Sequence, residues 1–255
     1  MRLTVVGAGP AYSDDPDSRG ACYLVESASA AGAGAGAIVL DLGHGAFASL
    51  ASRISPSALD AVLVSHLHPD HFVDLVPLRH WLRYHADPAG RIDVHAHRDL
   101  PARLDGLHGE PGFAAGTLDL VPLEPGERSI ATFRIETVRV RHTADSFAFR
   151  IADRAGPGPG LVYSGDVGDA RDLEPLIRPG DTLLVECSFG AGPVPSGTAH
   201  LDGPGVAELA ARTGPASVLL THILPGQDRH RTLASVRAGW KGVVTIVTPG
   251  FTTEI

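Results

Sequence analysis

The chain has 255 residues, 44% of them hydrophobic and 20% charged, with a formal net charge of -8. Those values exclude wholesale disorder and a fibrous repeat, and they leave room for a substantial core. They also argue against a large nucleic-acid surface, which needs clustered Lys and Arg, while a small anion drawn to a metal is compatible with them.

Apolar periodicity predicts strands over residues 3–6, 21–26, 37–41 and 61–65, with a short helix over 46–52 between the last two. A helix over 72–85, a strand over 92–96 and a helix over 101–107 follow. Next come strands over 133–139, 146–151 and 161–164, a helix over 170–177, a strand over 182–186 and a helix over 203–212. The chain closes with a strand over 217–221, a helix over 230–238 and a strand over 243–247. Strands that occur both as hairpin-like pairs and singly before helices imply mixed sheets. The tracts SAAGAGAG (29–36) and AGPGPG (155–160) read as hairpin tips, because as linkers they would strip the flanking strands of partners. One domain spanning 1–255 is therefore expected, with halves of similar content meeting near residue 130.

The opening MRLTVVG is too short an apolar run for a signal peptide, and no 18 apolar residues follow one another, so no membrane span is expected. Cys22 and Cys187 lie outside any CxxC pattern and read as two free buried thiols of a cytoplasmic protein.

Chemistry concentrates in VLVSHLHPDH (62–71). His66 and His68 flank one residue, so in extended backbone their imidazoles share a side and suit one ion. Pro69 bends the chain and turns Asp70 and His71 toward another. A His-rich loop is often only a solvated surface, but four ligand-type residues within six positions directly after a strand point to metal. Three further polar residues close apolar runs in the same way: His142 after 137–141, Asp166 in the turn SGD, and His222 after 217–221.

The ordered set HLHPDH, lone His, SGD and TH resembles the metallo-β-lactamase superfamily over nearly the whole chain. LDLGHG with Asp41, RHTADSFAFRI, VECSF and AHLDGPGVAELA bring it nearest to the ribonuclease Z and cyclic-nucleotide phosphodiesterase branch. The resemblance implies a four-layer αββα sandwich, a homodimer and two divalent ions, zinc or alternatively manganese. It assigns His66, His68 and His142 to one ion, Asp70, His71 and His222 to the other, and Asp166 to both. It further implies a catalytic pair: Asp70 as a general base, and His200 as the donor of a proton to the leaving oxygen of a small anionic phosphodiester, with cyclic nucleotides foremost.

Ribonuclease Z carries a long arm for transfer RNA between the residues matching His142 and Asp166. Here the interval is residues 143–165, 23 positions that two strands and a turn consume, so folded RNA is a poor fit. The alternatives are lactone or thioester hydrolysis with similar ligands, cleavage of RNA 3′ ends, and a non-catalytic metal-bound scaffold. His200 discriminates against lactones, which need no such proton donor. VVGAGPAY is not a dinucleotide fingerprint, since Tyr12 stands where Gly or Ala belongs. ECSFG lacks the first Gly of a nucleophile elbow, leaving Ser188 as a pocket residue. Arg79 and Arg83, four apart on one helix, are read as meeting a phosphate or facing solvent, and His44 as narrowing the pocket or inconsequential.

Overall fold

The computed structural model describes residues 1–27, 36–154, 156 and 158–255. The tract 29–36 lies almost wholly outside the described residues, although the strands on either side of it pair antiparallel as a hairpin requires. The first sheet runs β14-β1-β2-β3-β4-β5-β6 and the second β13-β12-β11-β10-β9-β8-β7. Its first-half members are β1 (Arg2–Gly7), β2 (Cys22–Glu26), β3 (Ala37–Leu40), β4 (Ala61–Leu63), β5 (Ile92–Ala96) and β6 (Leu118–Pro122). The second sheet comprises β7 (Gly126–Ile130), β8 (Phe133–Val140), β9 (Ser146–Asp153), β10 (Leu161–Tyr163), β11 (Thr182–Glu186), β12 (Ser217–Thr221) and β13 (Val243–Ile246). Only β14 (Thr252–Glu254) crosses back, pairing with β1 in the register Leu3↔Thr253. In each sheet the outer antiparallel strands give way to parallel ones, so the two halves repeat one plan.

Alternation along the strands sorts side chains into layers. Tyr23 and Val25 of β2, Leu63 of β4 and Leu184 of β11 face the core shared by the sheets, joined there by Phe133, Ile135, Phe147 and Phe149. Their neighbours Cys22, Leu24 and Val62 face outward onto a second cluster with Leu50, Leu78 and Leu104. These belong to α1 (Phe47–Ala51), α3 (Leu75–Tyr84) and α4 (Leu100–His108). Leu183 and Val185 pack outward with Val206, Leu209 and Val236 of α5 (Gly203–Thr213) and α6 (Arg229–Gly239). Helices outside two mixed sheets are the αββα sandwich.

Several local outcomes differ from the pattern. The helix expected over 72–85 is two: α2 (Pro69–Phe72) and α3, separated at Val73 and Asp74. Asp74 is diverted because its N–H bonds to the Leu42 carbonyl at 3.1 Å and its carboxylate accepts from Phe47 N–H at 2.8 Å. The helix expected over 170–177 shrinks to one 3-10 turn (Ala170–Leu173), since Pro175 removes the donor that a continuing helix needs. β6, β7 and β14 were not expected: β7 reads GERSI and is largely exposed, so no buried face writes alternation into it. α5 is capped by Asp202, which accepts from Gly205 N–H at 2.9 Å, and ends at Gly214 with φ 66°.

Beneath β9 and β11 lies a buried ion pair. Arg150 donates to both oxygens of Asp181 at 2.7 and 2.8 Å, and Asp181 also accepts from the backbone of Gly160 at 2.7 Å and Arg178 at 2.9 Å. Asp181→Ala would leave the Arg150 guanidinium, which is 2% exposed, with the longer contact to Glu136 at 3.4 Å in place of its bidentate partner. The expected cost is about 3–5 kcal/mol, read as a lower urea midpoint; a loss below about 1 kcal/mol would mean that water reaches Arg150.

Candidate metal centre

All the expected ligands leave the sheets at one end. His66 and His68 follow β4, Asp70 and His71 sit in α2, His142 follows β8, Asp166 follows β10 and His222 follows β12. Close packing holds the α2 turn in place: a Cβ on Gly43 would stand 1.8 Å from the Asp70 carbonyl oxygen, so only glycine fits there. Two residues here adopt left-handed backbone without being glycine, Asp41 at φ 55° and His222 at φ 56°. Such strain persists only where surrounding bonds over-determine it.

For Asp41 those bonds are explicit. Its carboxylate accepts from Ser65 N–H at 2.6 Å, Ser65 Oγ–H at 2.7 Å, Tyr163 O–H at 2.5 Å and His71 Nδ1–H at 2.7 Å. The same logic fixes the other rings. His142 Nδ1–H donates to the Ala199 carbonyl at 2.7 Å. Ser188 Oγ gives its proton to Glu186 at 2.5 Å and can therefore accept from His222 Nδ1–H at 3.1 Å. Ser65 Oγ, its proton on Asp41, accepts from His66 Nδ1–H at 3.1 Å. Each of these four imidazoles is thus held in the tautomer that leaves Nε2 with a free lone pair, the state that a metal requires.

Those lone pairs converge. His68 Nδ1 lies 2.9 Å from His66 Nε2 and 3.1 Å from His142 Nε2, and Asp166 Oδ2 lies 3.8 and 3.7 Å from those same Nε2 atoms. A second set closes on the other carboxylate oxygen: Asp166 Oδ1 is 3.4 Å from His71 Nε2 and 3.6 Å from His222 Nε2. Asp70 Oδ2 completes it at 3.5 and 3.1 Å from those nitrogens. Four donors about 2.1 Å from a zinc ion stand about 3.4 Å apart on a tetrahedron, near the separations in both sets. Moreover, His71 Nε2 and Asp166 Oδ1 are buried without a hydrogen-bond partner among the described residues. Unpaired polar atoms at such depth are costly, and a cation relieves both. The His/Asp cluster fits metal binding.

Electrostatics point the same way. Burial works against charge on every group, yet His222 and His71 outweigh it and hold Asp70 far below the usual carboxylate range. Asp166 and Asp41 in turn hold His71 well above an ordinary imidazole despite burial. Burial, and after it the neighbouring rings, hold His66 and His68 below an ordinary imidazole.

Beside the cluster, His200 Nδ1 bonds to Glu186 Oε1 at 2.9 Å, and Glu186 is fully buried, also taking Val167 N–H at 3.0 Å. Burial lowers the His200 pKa, but the Glu186 hydrogen bond and charge prevail and leave it raised. Sequence reasoning missed Glu186; its signal was a lone acid at the end of an apolar strand, LLVE. Ser188 lies buried between His200 and His222 and not on a pocket wall. Arg79 is buried and does not face solvent: it donates to the Phe113 carbonyl at 2.9 Å and stacks over that ring at 4.4 Å. Arg83 stacks on Tyr84. His44 is half-buried, its carbonyl accepting from Gly20 N–H at 2.9 Å. Clefts of about 460 Å³ beside His222 and about 420 Å³ beside His200 flank the cluster.

Fold and site together define a class. The family description "Beta-lactamase superfamily domain" matches residues 38–223, and the chain belongs to that superfamily. An uncharacterized protein of Mycobacterium leprae is 31% identical over all of this chain and 89% of its own length. The probable metallo-hydrolase YhfI of Bacillus subtilis is 26% identical over the full length of both, and a ribonuclease Z of Bradyrhizobium is 28% identical over 79% of this chain and 84% of its own. Among solved structures, the metallo-β-lactamase fold protein YhfI superposes with a TM-score of 0.85 at 22% identity, covering 99% of both chains. A diphosphatase of the PhnP family gives 0.75 at 18%, covering 100% and 97%, and zinc-bound PqqB from Methylobacterium extorquens 0.71 at 14%, covering 100% of each.

Among the described residues no helix is long and apolar enough to cross a membrane. Cys22 and Cys187 are free and buried.

Proposed function

We propose that this protein is a two-metal phosphodiesterase of the cytoplasm acting on small diesters, cyclic nucleotides being the class that the family resemblance brings forward. His66, His68 and His142 would hold one ion, Asp70, His71 and His222 the other, with one oxygen of Asp166 toward each. The observation that carries this reading is that division of Asp166 between two donor sets. Imidazole and carboxylate donors suit zinc, with manganese as the alternative, and zinc-bound PqqB supports the first choice. Such ions supply Lewis-acid stabilisation of charge on phosphoryl oxygens and a nucleophile at neutral pH.

The chain's own groups do the rest. Asp41, Ser65, Ser188 and the Ala199 carbonyl fix the tautomers of His71, His66, His222 and His142, so these four rings already present Nε2 lone pairs. In this reading Asp70, whose carboxylate lies against His71 and His222, would receive a proton from the attacking water. Glu186 orients His200 and favours its protonated form, as a donor to a departing alkoxide needs. A small substrate fits the short interval after His142: β9, β10 and the turn that joins them run from 146 to 163 and take up most of it, leaving no arm. Ribonuclease Z and the PhnP-family diphosphatase act at phosphorus by their names, which supports phosphodiesters over lactones and thioesters.

Hydrolysis by zinc- or manganese-loaded protein of bis(p-nitrophenyl) phosphate and cyclic AMP, set beside a homoserine lactone and a thioester, tests the reading. Preference for the phosphodiesters is expected. Preference for lactone or thioester would keep the metals and overturn the substrate class, while inertness toward all four would favour a scaffold.

A further inference from the structure

The centre has room on both sides. The cleft on the His222 side has apolar walls, Ile223 and Ile246 among them, with Arg19 and Arg229 alongside Asp15 and Asp17. On the other side a cleft runs between Asp169 and Arg171 and the α5 face of Gly205, Glu208 and Arg212, with His200 also in its lining. The His200 and His222 rings lie stacked, 6.1 Å apart, and each lines one of these clefts.

We infer that the cleft between the Ala170–Leu173 turn and α5 is the subsite for the leaving alcohol, and that the preferred substrate is a linear diester whose leaving group is an uncharged, hydroxyl-bearing alcohol. This rests on the phosphodiesterase reading and departs from a cyclic-nucleotide preference. In hydrolysis the water oxygen bonds to phosphorus, and the P–O ester bond breaks with its electron pair on the leaving oxygen. That oxygen takes the proton held by His200, and a proton of the attacking water restores the balance. The leaving oxygen must therefore lie within hydrogen-bond reach of His200, and whatever it carries runs into the cleft that the ring lines. In a cyclic diester both ester oxygens belong to one sugar, so one cleft suffices; a linear diester fills two.

The lining defines the occupant. Asp169 is paired with Arg171 at 2.5 Å and Arg141 at 2.8 Å, and Arg212 with Glu174 at 2.7 Å and with Glu208. Asp202 is spent on capping α5. Five carboxylates (Asp169, Asp172, Glu174, Asp202 and Glu208) against three guanidinium groups (Arg141, Arg171 and Arg212) leave this cleft polar with an excess of negative charge, which admits a neutral sugar alcohol and repels a second phosphate.

The test compares a deoxydinucleoside monophosphate with 3′,5′-cyclic AMP on the zinc-loaded full chain, for wild type, Val194→Trp and Glu208→Trp. The first variant fills the cleft from its loop side, the second from an exposed helix face that tolerates substitution. Wild type should turn over the linear diester with the higher kcat/KM, and each variant should cut the linear-to-cyclic ratio of kcat/KM by about 10-fold, with zinc content unaltered. A ratio unmoved in both variants, or a wild type that prefers cyclic AMP, overturns the leaving-group subsite and leaves the phosphodiesterase reading standing. A wild type inert toward both diesters overturns that reading and the subsite with it.

Discussion

Asp166→Ala is expected to abolish turnover, by 10³-fold or more on the scale of losing a main electrostatic element of a site, and to lower bound metal below two per chain. Its two oxygens face different donor sets, Oδ2 toward His66 and His142 and Oδ1 toward His71 and His222, so one substitution damages both. Without the carboxylate, the buried rings that remain repel one another when protonated, and among the described residues no other acid spans the gap. Metal analysis and a phosphodiester assay on one preparation check the two effects together. Full activity with full metal would remove Asp166 from the centre.

His200→Ala should separate chemistry from metal. The ring is anchored by Glu186 and not by the main donor sets, and its Nδ1 is already engaged at 2.9 Å. Loss of a proton donor typically costs about 10²–10⁴-fold in turnover, and here the cost should fall on kcat with zinc content intact. A p-nitrophenolate leaving group needs little help from an acid, so the defect should shrink for bis(p-nitrophenyl) phosphate relative to an alkyl diester. Because Asp166, His200 and His222 also lie close enough to share an ion, loss of metal in His200→Ala would make the residue a ligand instead.

Much of this centre was legible in the sequence because its parts obey strong local rules. His66 and His68 gain their common side from a two-residue repeat, and Asp70 and His71 their new direction from Pro69. The donors His142, Asp166 and His222 all stand where an apolar strand ends. What stayed hidden depends on long-range contacts. Glu186 looks like any strand-end acid until the fold brings it to His200, and Asp41 drew notice only through LDLGHG although four donors converge on it. Arg79 was read from helical spacing as meeting a phosphate or facing solvent, and the fold instead buries it against Phe113, 34 residues away, whose carbonyl takes its guanidinium. The break at Val73 and Asp74 had its signal in Pro77, which cannot donate to the Val73 carbonyl four residues back, while the contacts of Asp74 with Leu42 and Phe47 come from the fold. Exposed β7 carries no alternation because one flank faces water.

Anomalous diffraction from zinc-soaked crystals tests the central claim most directly. Two peaks are expected, one among His66, His68 and His142 and one among Asp70, His71 and His222, with Asp166 contacting both; a single peak, or density away from Asp166, would contradict a two-metal centre.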